Sequence, residues 1–191
     1  MAIEQWDFIR VKNLIDVSKY VEDPPSRESK TLRYHKTGTY VESTQEDQNL
    51  VIRGNTFCRY NYPKLRPVLF EIKHFLEELL EEPLFETYCF DRFYFAGSSM
   101  LPHTDRAACE LSVSLNISST SEKEYPLWIK TDDGAVPIVT EPGDAVLYKG
   151  RNFKHWRDTL VGPSDTYHHQ AFFHYVRADG YYVEHAWDAT T

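Results

Sequence analysis

The hydrophobic positions of this chain follow one period before Pro83 and another after it. From Pro63 onwards, apolar residues recur three and four positions apart, with charged residues between them. That spacing is typical of an amphipathic helix. The apolar positions are Leu65, Val68, Leu69, Ile72, Phe75, Leu76, Leu79 and Leu80. Because proline suits a first helical turn and cannot continue a helix, the pattern predicts one helix within residues 61–83, packed on the outside of a sheet.

Beyond Pro83 the apolar residues alternate over short segments instead. Within 109–117, every second residue is apolar and the residues between are polar, as in a strand with one buried face. The apolar positions are Leu111, Val113, Leu115 and Ile117. Further strands are predicted at 91–96, 127–130, 136–139, 145–149 and 167–176, separated by Gly- and Pro-containing turns. Strands at this interval favour a sandwich or barrel of the jelly-roll kind.

A chain of 191 residues is long enough for one complete core, so we predict a single domain over 1–191. Residues 1–60 are predicted to form loops and short elements packed on the core, 61–83 the supporting helix, 84–178 the strand core and 179–191 a C-terminal tail. From about Asp23 to Asn49 the sequence is polar and turn-rich, which predicts long loops able to cover a site. The predicted fold class is β-rich α+β.

Charge and composition restrict the partners. The net charge of −8 and the pI near 5.5 argue against nucleic acid or an anionic membrane surface as the main partner. Neither an N-terminal leader pattern nor an apolar run of membrane-spanning length is visible, so we expect a soluble, cytoplasmic protein. The three cysteines are widely spaced and are predicted to be reduced thiols. The oligomeric state stays open.

The candidate chemistry begins at His103-Thr104-Asp105 and continues at His155. Residues two apart on a strand project to the same side, so His103 and Asp105 can reach one metal ion. Two imidazoles and one carboxylate are the ligands of non-haem Fe(II) oxygenases, with the remaining positions open. A single His-x-Asp triplet is common in a chain with eight histidines, so its context carries the prediction.

That context resembles the 2-oxoglutarate and Fe(II)-dependent oxygenases, and within them the prolyl 4-hydroxylase-like branch. The resemblance covers roughly residues 60–177 and depends on the order of a helix, a ligand pair, a Gly-Asp turn and a distal histidine. The matching segments are Tyr94-Phe-Ala-Gly97, Leu101-Pro-His-Thr-Asp-Arg106, Glu141-Pro-Gly-Asp144, Lys154-His-Trp-Arg157 and the closing strand 172–176. Residues 1–59 carry no recognised motif.

The resemblance implies a double-stranded β-helix (jelly-roll) core in which His103, Asp105 and His155 are the metal ligands and the catalytic centre. Fe(II) and 2-oxoglutarate would be the cofactors and O₂ the co-substrate. Decarboxylation to succinate and CO₂ would accompany hydroxylation of an unactivated C–H bond. Family analogy favours a prolyl, amino-acid or peptide substrate over other small molecules.

The sequence departs from that family at the cation that holds the 2-oxoglutarate C5-carboxylate. Members of the branch usually have an Arg or Lys about ten residues after the distal histidine, where this chain has Gly162-Pro-Ser-Asp165. Arg157 shares strand parity with His155 and is the best substitute, because guanidinium pairs well with carboxylate. His168 is the second candidate, and Tyr94 could add a hydroxyl donor. The alternative for Arg157 is a surface salt bridge.

The other polar residues have ordinary interpretations beside functional ones. Arg106, Ser114 and Asn116 could line the mouth of the site or form a solvated face. Of the three histidines on the last strand, only His168 and His174 share a face, too far apart for one site.

Two other functions stay open from the sequence. One is a cupin-type metalloenzyme with the same three ligands and without 2-oxoglutarate. The other is a non-catalytic jelly-roll binding protein in which His103 and Asp105 only hydrogen-bond to each other.

Overall fold

The structure, a computed structural model, describes residues 6–25, 41–43 and 51–188, with the backbone alone for 41–43. These ranges contain twelve strands and one α-helix. The strands are β1 (Phe8–Val11), β2 (Val41–Ser43), β3 (Ile52–Arg53), β4 (Thr56–Tyr60), β5 (Leu84–Phe95), β6 (Ser99–His103), β7 (Leu111–Ser119), β8 (Leu127–Thr131), β9 (Gly134–Ile138), β10 (Ala145–Tyr148), β11 (His155–Arg157) and β12 (Tyr167–Arg177). The helix α1 spans Arg66–Leu80, and short 3-10 turns lie at Ser18–Tyr20, Pro63–Leu65, Ala107–Cys109 and Val183–Asp188.

The strands form two antiparallel sheets. The large sheet has the order β1-β10-β7-β12-β5-β4-β2, and the small sheet has the order β3-β6-β11-β8-β9. One apolar cluster takes residues from both sheets, including Tyr94 of β5, Ile129 of β8 and Tyr148 of β10. The two sheets therefore face each other across a shared interior.

The opposite face of the large sheet is covered by α1. The helix buries Val68, Leu69, Ile72, Leu76 and Leu80 in a cluster with the apolar residues of β7. A 3-10 turn containing Pro63 precedes the helix, and the helix is followed by the C-cap residue Glu81, which has φ of 56°. The helix thus lies inside the predicted range, on the predicted outer side of a sheet. Among the described residues, no helix is both long and apolar enough to cross a membrane.

Strand β7 shows why the two faces of the large sheet differ. All its residues except the last are buried. Its apolar side chains face α1, while the polar ones between them face the small sheet. The predicted alternation was correct, but the polar face is interior rather than solvated. Four of these polar residues are Ser112, Ser114, Asn116 and Ser118.

The N-terminal third supplies strands to both sheets. β1 pairs with β10 at one edge of the large sheet, β4 pairs with β5, and β3 pairs with β6 in the small sheet. The loops predicted between Asp23 and Asn49 lie mostly outside the described residues, although 41–43 form β2 beside β4.

Candidate metal centre

The candidate ligands meet where β6 ends and β11 begins. His103 and His155 are directly opposed partners in this antiparallel pair. Asp105 follows two residues later, and its backbone N–H donates to the Gly150 carbonyl at 2.9 Å. Strand pairing therefore brings together residues that are about fifty positions apart in the sequence.

Both imidazoles are oriented by their own strands. His103 Nδ1 lies 2.9 Å from the Leu101 carbonyl oxygen, and His155 Nδ1 lies 3.0 Å from the Phe153 carbonyl oxygen. Because a carbonyl only accepts, each Nδ1 carries the proton and each Nε2 can present a lone pair. The Nε2 atoms lie 3.5 and 3.4 Å from Asp105 Oδ1.

The charges at this junction suit metal binding. Burial opposes ionisation of Asp105, but hydrogen bonds with His103 and His155 hold the pKa of the carboxyl group well below its usual range. Burial alone would lower the pKa of His103, yet the Asp105 carboxylate and the Leu101 carbonyl raise it above 6.5. A proton on His103 thus occupies the place that a cation would take.

The three ligand atoms lie within 4.8 Å of one another. They comprise two nitrogen donors and one carboxylate oxygen converging from one side, the donor set of a 2-His-1-carboxylate iron site. The arrangement fits one divalent transition-metal ion bound on one face. A purely local His103–Asp105 hydrogen bond does not account for His155, which approaches the same oxygen.

Arg157 points into the interior between the sheets and is only 2% exposed. Its Nη1 donates to the Tyr125 carbonyl at 2.5 Å and its Nη2 to Gln170 Oε1 at 3.1 Å. Its Nε has no hydrogen-bond partner in the part of the chain that the structure describes. Both acceptors are neutral, and within the described residues no carboxylate pairs with this guanidinium. A buried cation without a counter-charge is costly. Arg157 is therefore no surface salt bridge, and its surroundings suit a bound anion.

His168 lies beside Arg157 in a different chemical state. Its Nε2 is 2.7 Å from Gln170 Oε1, which only accepts, so Nε2 carries the proton and the partnerless Nδ1 has a lone pair. Complete burial and the neighbouring Arg157 lower the pKa of His168 to about 3. A neutral imidazole with this tautomer offers no further proton to a carboxylate. Arg157 is consequently the better anion partner of the two.

Two tyrosines connect the ligand cluster with Arg157. The Tyr148 ring lies 4.9 Å from the His155 ring. Burial and the nearby Asp105 raise the pKa of Tyr148 well above its usual value, although Arg157 partly opposes this effect. Tyr94 is fully buried, its ring centroid lies 5.8 Å from the Arg157 guanidinium carbon, and its hydroxyl donates to Met100 Sδ at 3.7 Å. Ligands, tyrosines and Arg157 therefore line one interior.

The remaining candidates have structural partners. Arg106 pairs with Asp188 Oδ1 at 2.6 Å, and Asn116 donates to the Thr140 carbonyl at 2.6 Å. Ser114 accepts from Gln170 Nε2 at 2.9 Å and so supports the residues around Arg157. His169 faces the opposite side of the sheet and pairs with Asp91.

Sequence reasoning missed several residues that contact the predicted ones. Tyr125 and Gln170 accept from Arg157, while Ser112 contacts Asp105 and His174. Serine, glutamine and tyrosine are frequent residue types, so nothing in the sequence marked them. His174 was visible only as one of three histidines on the last strand.

Comparison with known proteins supports this architecture. No family model and no curated protein matches the sequence. Among solved structures, a Pseudomonas putida prolyl-4-hydroxylase is similar with a TM-score of 0.59 at 10% identity, over 92% of this chain and 95% of that one. The 2-oxoglutarate complex of a viral collagen prolyl hydroxylase from Paramecium Bursaria Chlorella virus-1 gives 0.57 at 8%, over 90% and 97%. The α-ketoglutarate-dependent epimerase SnoN from nogalamycin biosynthesis gives 0.63 at 12%, over 90% and 78%.

These similarities define the fold of the chain. It is the β-rich fold of the 2-oxoglutarate/Fe(II) oxygenases, including prolyl hydroxylases, with a double-stranded β-helix core. The fold class predicted from the sequence is confirmed, and the predicted resemblance holds as a likeness of fold.

Acidification should destabilise the metal-free protein. Burial lowers the pKa of His168 to about 3 and that of His174 to about 4, whereas unfolded histidines titrate near 6.5. Between these values the unfolded state binds more protons, so the free energy of unfolding falls as the pH drops from 6.5 to about 4. Each histidine contributes up to about 1.4 kcal/mol per pH unit. Urea titrations across this range measure the slope.

Matched variants show how much His168 contributes to the pH dependence of the free energy of unfolding. In the upper part of this pH range, where the low pKa of Asp105 does not yet contribute, His168→Gln should reduce the slope by roughly half, one histidine of two. His74→Gln is the control for the histidine-to-glutamine change itself, because the His74 side chain is 78% exposed and the substitution leaves the interior intact. An equal slope in wild type and His168→Gln would contradict the assignment.

Proposed function

We propose that this protein is an Fe(II)- and 2-oxoglutarate-dependent oxygenase. The observation that carries the proposal is the convergence of His103, Asp105 and His155 ligand atoms in the same interior as the buried Arg157. The fold adds support, since solved structures that share it include SnoN with Fe3+, α-ketoglutarate and nogalamycin RO. His103, Asp105 and His155 would hold the iron.

Arg157 would bind the C5-carboxylate of 2-oxoglutarate. Its partnerless Nε supplies a donor, and a bound carboxylate would neutralise a cation that has only neutral partners among the described residues. Tyr94, beside the guanidinium, would contribute a hydroxyl donor, and His168 is the second candidate for the anchor. Gln170 and the Tyr125 carbonyl hold the guanidinium in place.

The proposed reaction is hydroxylation of an unactivated C–H bond in a prolyl, amino-acid or peptide substrate. One oxygen atom of O₂ enters succinate and the other enters the product hydroxyl, with release of CO₂. When bound, iron and 2-oxoglutarate supply the oxidising power, and the protein supplies orientation and exclusion of water. The interior is suited to that role because Tyr148, His155 and Arg157 are almost fully buried. The buried Cys89 and Cys109 are free thiols, as expected in the reducing, cytoplasmic location that we propose.

Anaerobic titration tests the proposal directly. Fe(II)-loaded protein should develop a weak visible charge-transfer band on addition of 2-oxoglutarate, and air should then convert 2-oxoglutarate to succinate. Asp105→Ala, which lacks one ligand, should abolish both signals. Pools of prolyl peptides and free amino acids, compared by succinate yield, identify the substrate class.

The alternatives give different results in the same titration. Bound iron without the band favours a cupin-type enzyme that does not use 2-oxoglutarate. Neither iron nor band favours a non-catalytic binding protein.

A further inference from the structure

The two carboxylate oxygens of Asp105 have different surroundings. Oδ1 faces the Nε2 atoms of His103 and His155. Oδ2 points away from them and lies 3.2 Å from the Ser112 hydroxyl on β7. One oxygen is therefore directed at the candidate metal position, while the other is directed into the large sheet.

The Ser112 hydroxyl has a second partner that fixes its direction. Its oxygen lies 2.9 Å from His174 Nδ1, and Ser112 and His174 are 0% and 5% exposed. Ser112 has two acceptors for its one proton, Asp105 Oδ2 at 3.2 Å and the Cys109 carbonyl at 3.4 Å. A metal-bound carboxylate is ionised and is both the nearer and the stronger acceptor, so Ser112 donates to Oδ2. The Ser112 oxygen then accepts from His174 Nδ1–H. The donor order runs from His174 through Ser112 to Asp105.

Neighbouring groups restrict movement of this chain of donors. The His174 ring lies 4.5 Å from the Tyr88 ring, and the Cys109 carbonyl lies 3.4 Å from the Ser112 hydroxyl. On the other side, a Cβ atom at Gly150 would overlap Asp105 Oδ2 and lie 2.6 Å from Ser112 Oγ. Asp105 Oδ2 is thus confined between β7 and the Gly150 backbone.

A carboxylate can bind a metal through one oxygen or two. With one oxygen from Asp105, an octahedral ion keeps three open positions, two for 2-oxoglutarate and one for O₂. With both oxygens bound, only two positions remain. Building on the proposed function, we propose that Ser112, oriented by His174, is a positioning residue that keeps Asp105 a one-oxygen ligand and so preserves the third open position.

Nitric oxide, a probe of open positions on Fe(II), tests this inference. Anaerobic wild-type protein loaded with Fe(II) and 2-oxoglutarate should give the high-spin ferrous nitrosyl EPR signal. In Ser112→Ala, the affinity for nitric oxide should fall about 10- to 100-fold when 2-oxoglutarate is bound, the range typical of lost outer-shell partners. Without 2-oxoglutarate it should change little, because open positions are then in excess. A merely structural role would lower both affinities alike.

Three further variants make the comparison specific. Ser118→Ala removes a buried hydroxyl of the same strand that has no hydrogen-bond partner among the described residues, and should match wild type. His174→Phe keeps a ring against Tyr88 but no donor, and should show part of the Ser112→Ala effect even if Ser112→Ala folds poorly. His174→Asn, whose amide can donate, should restore binding.

The outcomes separate the two proposals. If wild type forms the ternary complex and Ser112→Ala binds nitric oxide equally well with 2-oxoglutarate, the inference is overturned and the proposed function stands. A second metal ion bound by wild type and lost in His174→Phe would also overturn it, because Asp105, Cys109 and His174 could then be ligands. If the wild-type protein takes up no iron, both the inference about Ser112 and the proposed function are overturned.

Discussion

Arg157→Leu should raise the dissociation constant of 2-oxoglutarate about 100-fold or more, because charge-assisted hydrogen bonds to a carboxylate are among the strongest in proteins. The affinity for Fe(II) should change little, since Arg157 is not a metal ligand. Arg157→Lys keeps the charge but loses the planar fork, so its affinity should be intermediate. The dissociation constants of wild type, Arg157→Leu and Arg157→Lys can be measured by titrating each protein with 2-oxoglutarate and following the anaerobic charge-transfer band.

Arg151→Leu is the matched control for that experiment. Arg151 lies on the connection between β10 and β11, six residues before Arg157, but is exposed. Its Nε donates to the Tyr182 hydroxyl at 2.8 Å. This variant should bind 2-oxoglutarate like wild type. Unchanged affinity in Arg157→Leu would remove Arg157 from the anchor role and leave His168 as the candidate.

Gly150→Ala should reduce Fe(II) affinity about 100-fold or more, because the added methyl group displaces the proposed ligand Asp105. Loss of an outer-shell partner alone typically costs about 10- to 100-fold. The added Cβ would overlap Asp105 Oδ2 and crowd Ser112 Oγ, so the carboxylate must leave its position. Equilibrium dialysis against Fe(II) under anaerobic conditions measures the loss.

Gly162→Ala supplies an equally crowded control away from the metal. Its Cβ would lie 2.9 Å from Thr166 Cβ, so this variant can lose stability but should keep the wild-type Fe(II) affinity. If Gly150→Ala retains full Fe(II) affinity, the Asp105 carboxylate can move and still bind the metal, contrary to what the contacts around it imply.

The sequence predicted those parts of the fold that depend on local patterns. The three-and-four spacing after Pro63 identified α1, and the alternation at 111–117 identified β7, because each element buries one face. The ligand triad stays a prediction, which combined the His103-Thr104-Asp105 spacing with the family resemblance that added His155. Arg157 was found by its parity with His155.

The remaining features depend on which strands become neighbours. Ser112 and His174 meet because β7 and β12 are paired, with His174 opposite Ser112. Gln170 reaches Arg157 across the gap between the two sheets. Similarly, the short N-terminal strands β1, β3 and β4 carry little periodicity of their own and are defined by their partners. Pairing between distant segments leaves no local signature in one sequence.

The position of β12 has a consequence for how the chain folds. Among the described residues it is the last strand in chain order, yet it lies in the middle of the large sheet, between β7 and β5. During synthesis, β5 and β7 emerge first and each exposes an unpaired edge of the kind that promotes aggregation. Neither edge can be covered until residue 177 has left the ribosome, and such long-range pairing is slow. Assembly of the large sheet must therefore be a late step, after translation of the twelve strands in the described residues.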